Sequence, residues 1–156
     1  MTAKVPMIHN DVLRSIRYIL NVPKKKLMEL FTLSGGGSVS EAELVAFLKQ
    51  EDEPGYKPCS DKLMAQFMDG LIIFKRGPAK QPAGPNPAGT LTNNSILKKL
   101  RIAFELQDSD ISKLLAKSGF SISKTELSAL FRKPEHRNYR PCGDQFLRNI
   151  LKALAS

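Results

Sequence analysis

"SEAELVAFLKQEDEPGYKPCSDKLMAQFMDGLI", Ser40–Ile72, and "SKTELSALFRKPEHRNYRPCGDQFLRNILKALA", Ser123–Ala155, are two spellings of one pattern. Each begins Ser-x-x-Glu (Ser40 and Glu43, Ser123 and Glu126). In that arrangement serine and glutamate satisfy each other's orphan backbone N–H groups at a helix start. Val39 or Ile122 just before, and Leu44 or Leu127 just after, are placed to pack together as a hydrophobic staple. Each stretch then passes through a Tyr-x-Pro-Cys-x-Asp hexapeptide that uses one of the chain's two cysteines. Each closes on an apolar stripe at helical spacing: Leu63, Met64, Phe67, Met68 and Leu71 against Phe146, Leu147, Ile150, Leu151 and Leu154.

Outward from these stretches the likeness continues. Asn10–Gly35 aligns with Asn94–Gly119 at a shift of 84, and Val39–Ile73 with Ile122–Ser156 at a shift of 83; 15 of these 61 pairs are identical. A match of that density over a fixed offset marks an internal repeat. The first helix of each copy is read from Leu13, Ile16 and Leu20 against Leu97, Leu100 and Phe104, with Asn10 and Asn94 predicted as N-caps. The second is read from Leu27, Leu30 and Phe31 against Ile111, Leu114 and Leu115, ending at Gly35 or Gly119. No segment alternates with the period of a strand. The predicted fold is therefore all-α, a tandem duplication of a four-helix unit. Residues 8–76 form repeat one, a Pro/Gly-rich linker covers 77–89, and residues 90–156 form repeat two. A lone unit of this size buries about 60% of the surface its unfolded chain exposes. The two are therefore predicted to pack on each other about a pseudo-twofold axis.

The hexapeptide sits at the start of the fourth helix. Ser60 or Gly143 is the predicted N-cap, and Asp61 or Asp144 faces the positive end of the helix dipole. Cys59 and Cys142 then stand one residue outside the cap, where a small buried hydrophobe would staple to Met64 or Leu147. A thiolate activated by the helix N-terminus is the functional alternative, but the neighbouring aspartate raises a thiol pKa. The two histidines, His9 and His136, are not equivalent positions, and the four residues lack zinc-type spacing. The cysteines are read as structural, with no catalytic residue, metal or cofactor. Arg17 and Arg101 flank the stripe of helix one and are expected to pair with Asp61 and Asp144, or with Glu43 and Glu126. A phosphate-binding role is the alternative for both arginines.

The chain has 156 residues, a hydrophobic fraction of 42%, and a net charge of +9. Its longest apolar run is the five residues Leu44–Leu48, far short of a membrane span, and MTAKVPMIHN lacks the apolar stretch of a signal peptide. A cytosolic protein without membrane contact is expected. The charge is uneven: residues 1–77 carry +2 and residues 78–156 carry +7. The contrast is sharpest before the cysteines, where repeat one has Glu51, Asp52 and Glu53 and repeat two has Arg132, Lys133, Arg137 and Arg140 with Tyr139 among them. A basic loop with an interleaved aromatic fits a phosphate backbone and a stacked base. Lys98, Lys99 and Arg148 are placed to extend it. The alternative is attraction between the acidic and basic loops, within the chain, between two copies, or with an acidic protein. Asp110–Phe131 also reads as helix, glycine turn, helix, the outline of a DNA-reading pair, although such pairs occur in any bundle.

"NDVLRSIRYIL", "NNSILKKLRIAFEL", "DGLIIFKRG" and above all "YRPCGDQFLRN" resemble the YehS-like family of small bacterial proteins, whose domain of unknown function is present twice. The family pattern more often has an acidic residue where Pro58 and Pro141 stand. The resemblance implies a bacterial cytosolic protein and brings no catalytic residues with it. The expected function is a non-enzymatic binding module without a small-molecule substrate. Nucleic acid is the favoured ligand, through Arg132, Lys133, Arg137, Tyr139 and Arg140. The alternative is protein interaction or self-association through Glu51, Asp52 and Glu53.

Overall fold

A computed structural model describes residues 9–35, 37–77 and 91–155. These form eight α-helices and no strand: α1 (His9–Leu20), α2 (Lys24–Leu33), α3 (Glu41–Leu48), α4 (Asp61–Arg76), α5 (Asn93–Ala103), α6 (Asp108–Ala116), α7 (Lys124–Leu130) and α8 (Asp144–Ala155). The predicted linker at 77–89 lies outside the described residues except for Gly77, which ends α4 at φ +89°. Among the described residues no helix is long and apolar enough to cross a membrane.

Helices α3, α4 and α7 start where the serine caps predict. Ser40 and Ser123 accept from the backbone N–H of Glu43 and Glu126, whose carboxylates accept in return from the serine N–H groups, so both capping boxes form. Ser60 caps α4 by accepting from Leu63 N–H. Gly35 and Gly119 stop α2 and α6 at φ +88° and +78°. At Gly119 the turn is completed by Gly119 N–H to Ala116 O and Phe120 N–H to Leu115 O, each 3.0 Å. That pair of hydrogen bonds is the Schellman ending.

Each repeat buries the face predicted for it. The core is continuous from Leu13, Ile16, Phe31 and Phe67 of repeat one to Leu97, Leu100, Leu147 and Ile150 of repeat two. Within a repeat the second helix packs on the fourth (α2 on α4, α6 on α8). Between repeats the fourth helix of each packs on the first of the other (α4 on α5, α8 on α1). This reciprocal docking is the pseudo-twofold arrangement. Asp69 of α4 meets Lys99 of α5, and Arg76 reaches Ile102 O (2.9 Å) and Glu105 (3.4 Å) at their ends, so these two helices run in the same sense. His9 meets Asp61, and Asn93 meets Asp144 (2.7 Å), so the starts of α1, α4, α5 and α8 gather at one end. Helix dipoles aligned in this way repel. Asp61 and Asp144 in the first turns, and Arg17, Arg76, Arg101 and Lys152 in the last turns, offset that repulsion.

Helices α2 and α4 approach closely at a glycine. Gly70 of α4 lies against the α2 backbone so tightly that a Cβ there would stand 1.7 Å from Leu30 O. Its repeat-two counterpart is Ala153, so α6 and α8 leave room for a methyl group that α2 and α4 do not.

Candidate functional site

The repeated hexapeptide is a joint, and an asparagine holds it. Asn10 was predicted to cap α1; it is instead the second residue of that helix, 1% exposed, with its side chain turned onto the hexapeptide. Its Nδ2 donates to Phe47 O and Lys57 O (both 2.9 Å), and its Oδ1 accepts from Cys59 N–H (3.0 Å). Asn94 repeats the clamp on Leu130 O, Arg140 O and Cys142 N–H at 2.9, 2.9 and 2.8 Å. The cap of α5 is Thr92, which accepts from Ser95 N–H at 3.2 Å. The asparagine identity in both copies was visible in the sequence; its role was not, because the three groups it satisfies lie 36 to 49 residues away. Both amide N–H groups and the carbonyl oxygen of each asparagine are engaged with the hexapeptide side of the joint, while Thr92 supplies the cap of α5.

The cysteines sit behind this clamp, buried and unpaired with each other. Burial, and secondarily the charge of Asp61 or Asp144, pushes each thiol up to about 12. At neutral pH both are therefore neutral thiols and poor nucleophiles. Among the described residues no group of three or more His, Cys, Asp or Glu could hold a metal ion.

Neither Arg17 nor Arg101 takes the predicted partner. Asp61 is held by His9, and Asp144 by Asn93, the residue equivalent to His9. Glu43 faces Lys57 (3.9 Å) and Glu126 faces Arg140 (3.1 Å). Arg101 turns instead to Asp108 (3.0 Å) and lies 4.5 Å over the Phe131 ring, while Arg17 Nε donates to Val22 O at 3.4 Å. The reason is local: the first helix is short, so an arginine in its last turn reaches the residues just beyond it sooner than the start of the fourth helix.

The basic loop joins α7 to α8. Arg132, Lys133 and Arg137 are exposed, and none makes an ion pair among the described residues. Arg132 lies beside His136, Nη1 to Nε2 3.5 Å. Tyr139 is half-buried, which leaves part of its ring for stacking. Arg140 differs from its neighbours, since its guanidinium bonds Glu126 and its N–H bonds Ala129 O (3.1 Å). Ser123, first through its backbone and then through its hydroxyl, holds the Glu126 carboxyl below its ordinary range, and Arg140 adds to the effect. Arg140 thus fastens the loop to α7. Glu51, Asp52 and Glu53 occupy the equivalent loop of repeat one, exposed, and no ion pair among the described residues links the two loops. The predicted extensions divide: Lys98 is exposed, whereas Lys99 is committed to Asp69. In the glycine-turn pair, α6 packs mainly on α8 of its own repeat.

Two hollows lie where the first helices end. One, of about 410 Å³, is bounded by Arg76, Arg101, Glu105 and Phe131. Its repeat-one counterpart, of about 360 Å³, is bounded by Arg14, Arg17, Tyr18, Asn21 and Leu48. A groove of about 520 Å³ between α1 and α8 shares Arg14 and Tyr18 with it and adds Arg148, Leu151 and Lys152.

A family model described as a protein of unknown function (DUF1456) matches the chain twice, at residues 9–77 and 93–156. The uncharacterized protein YehS of Escherichia coli (strain K12) is 41% identical over 150 residues, covering 96% of each chain. No solved structure matches.

Proposed function

We propose that this chain, which belongs to the DUF1456 family of proteins of unknown function, is a non-enzymatic module that binds the phosphate backbone of nucleic acid through its α7–α8 loop. The observation that carries this reading is the set of three exposed cations, Arg132, Lys133 and Arg137, that lack carboxylate partners among the described residues, on a loop fastened at its end by Arg140 and Glu126. Cations held on an anchored loop lose less freedom on binding than cations on a free chain. Each phosphate contact releases condensed counterions, so log K falls with log salt at about 0.9 per contact on duplex and about 0.7 on single strands. Anisotropy of a labelled oligonucleotide, titrated from low to moderate salt, tests this directly. The double variant Arg132→Ala, Arg137→Ala should weaken binding and flatten the slope by roughly 1.4 to 1.8. No binding of DNA or RNA at low salt sinks the reading.

Self-association is the second reading, favoured by the absence of any ion pair between the two loops among the described residues. Both sets of charges then remain available to a second copy of the chain. A mass that rises with concentration at low salt and falls back at high salt would support it.

A further inference from the structure

The two repeats share a backbone plan, so one can be used as a reference for the charge of the other. On the α4–α5 side three carboxylates neutralise the cations: Asp69 binds Lys99, Glu105 binds Arg76, and Asp108 binds Arg101. On the α1–α8 side the equivalent positions hold Lys152, Asn21 and Lys24. The partner of Asp69, Lys99, is replaced by Ser15, so Lys152 faces no opposing charge from that position. Arg17 keeps its arginine but, among the described residues, meets a backbone carbonyl, Val22 O, where Arg101 meets Asp108. Nor does it have a phenyl ring to cover, because Leu48 stands in the place of Phe131.

The α1–α8 face is correspondingly open. Two hollows meet there, of about 520 and 360 Å³, and Tyr18 borders both. Tyr18 is 73% exposed, the most exposed large apolar side chain among the described residues. Its counterpart Ile102 is half-buried. A flat ring standing free between cationic walls is the pairing that single-stranded nucleic acid uses: bases stack on the ring and phosphates run along the cations. Lys24 faces Glu41 at 3.9 Å, and further features temper the positive charge. Arg14 is paired with Asp11 and donates to Lys49 O (2.8 Å), α8 presents the negative end of its dipole near Ala155, and Gln50 marks the edge where the acidic loop begins.

We infer that this face of α1 and α8 is a binding site for single-stranded nucleic acid, with Tyr18 as the stacking platform and Arg17 and Lys152 as phosphate contacts. The inference rests on the nucleic-acid reading above but places base contact at a different surface from the α7–α8 loop.

The test is anisotropy of a labelled deoxythymidine 12-mer and of a 12-base-pair duplex against the full chain at low salt. Tyr18→Ala should weaken single-strand binding at least about fivefold while Tyr18→Phe leaves it within about twofold. Duplex binding should be insensitive to both. Arg17→Ala with Lys152→Ala should lower the single-strand salt slope by about 1.4. Each variant's melting curve is recorded first, and Tyr18→Phe serves as the folded control. If Tyr18→Ala binds like wild type while Arg132→Ala, Arg137→Ala loses binding, the site assigned to α1 and α8 is refuted and the loop stands. If Tyr18→Ala loses binding and the loop variant does not, the loop is refuted and this site stands. Equal loss in Tyr18→Ala and Tyr18→Phe refutes stacking. An octaglutamate peptide that binds as tightly as the 12-mer, and independently of Tyr18, marks a general polyanion surface and also refutes the assignment.

Discussion

Gly70→Ala sets two opposed effects against each other. Helix propensity alone favours alanine by about 1 kcal/mol in the interior of a helix such as α4. Packing opposes it, because the new Cβ would lie 1.7 Å from Leu30 O, and real Cβ atoms essentially never come within 3.0 Å of such a neighbour. The obstacle is a backbone carbonyl inside α2, so no rotamer change relieves it, and the helices must part by about 1.3 Å. Parting them loosens Leu30 and the Phe31–Phe67 contact, whose ring centroids are 5.0 Å apart. Overpacking of a rigid core costs about 1–3 kcal/mol. With a backbone atom as the obstacle the upper end applies, leaving a net loss of about 2 kcal/mol after the propensity gain. In a chain of this length that is a fall in Tm of roughly 4–8 °C, read by circular dichroism. Ala153→Gly is the control in repeat two, expected to cost about 1 kcal/mol through propensity. A Gly70→Ala protein that melts at or above the wild-type temperature would show that α2 and α4 are not in close backbone contact.

Asn10→Ala leaves Phe47 O, Lys57 O and Cys59 N–H without their partner and should cost about 3 kcal/mol in urea unfolding; Asn94→Ala, whose site is less buried, should cost less. Helix α5 ends on Glu105 at φ +54°, a conformation that asparagine tolerates better and that repeat one fills with Asn21 at φ +52°. Glu105→Asn gives up an exposed ion pair to Arg76 and should still raise Tm by about 1–2 °C. With thiol pKa values of about 12, only about one Cys59 or Cys142 in ten thousand is a thiolate at pH 8, so a disulfide reagent should label the native protein at its opening rate and the urea-unfolded protein at once. Glu126 has its pKa lowered by folding, so its stabilising effect is present above the unfolded carboxyl value and is lost as pH falls through the lower folded value. The stability difference between wild type and Glu126→Gln should accordingly shrink on acidification from pH 6 to pH 3.

The elements were legible because local chemistry sets them. Ser40, Ser60, Ser123, Gly35 and Gly119 act on N–H and C=O groups a few residues away, and each does in the structure what its spacing predicts. The reciprocal docking was legible for a different reason: two equal units, each with a face too greasy for water, have one another as the nearest cover. Side-chain partners across long separations were not legible. Asn10, Arg17 and Asp61 have identical residues at the equivalent positions of repeat two, and identity alone does not say which meets which. Distance decided: Asp61 went to His9, one residue before the clamp, and Arg101 to Asp108, just past its own helix. Divergence also hid a defect. Gln66 reaches Phe31 O of α2 and Gly37 O beyond it, whereas its counterpart Asn149, one methylene shorter, buries an Nδ2 without a hydrogen-bond partner among the described residues. The groove beside Tyr18 was out of reach of the sequence because it exists only where α1 meets the other repeat's last helix.

Splitting the chain within residues 78–90 tests the docked pair most directly, by following helicity and mass of the two halves apart and mixed. Each half alone should be weakly helical or self-associated, since Leu13, Ile16, Leu97 and Leu100 lose the neighbour that helps bury them, and equimolar mixing should restore a cooperative melt and a one-to-one complex. Two halves that each fold as stable monomers and ignore one another in the mixture would contradict the account at its root.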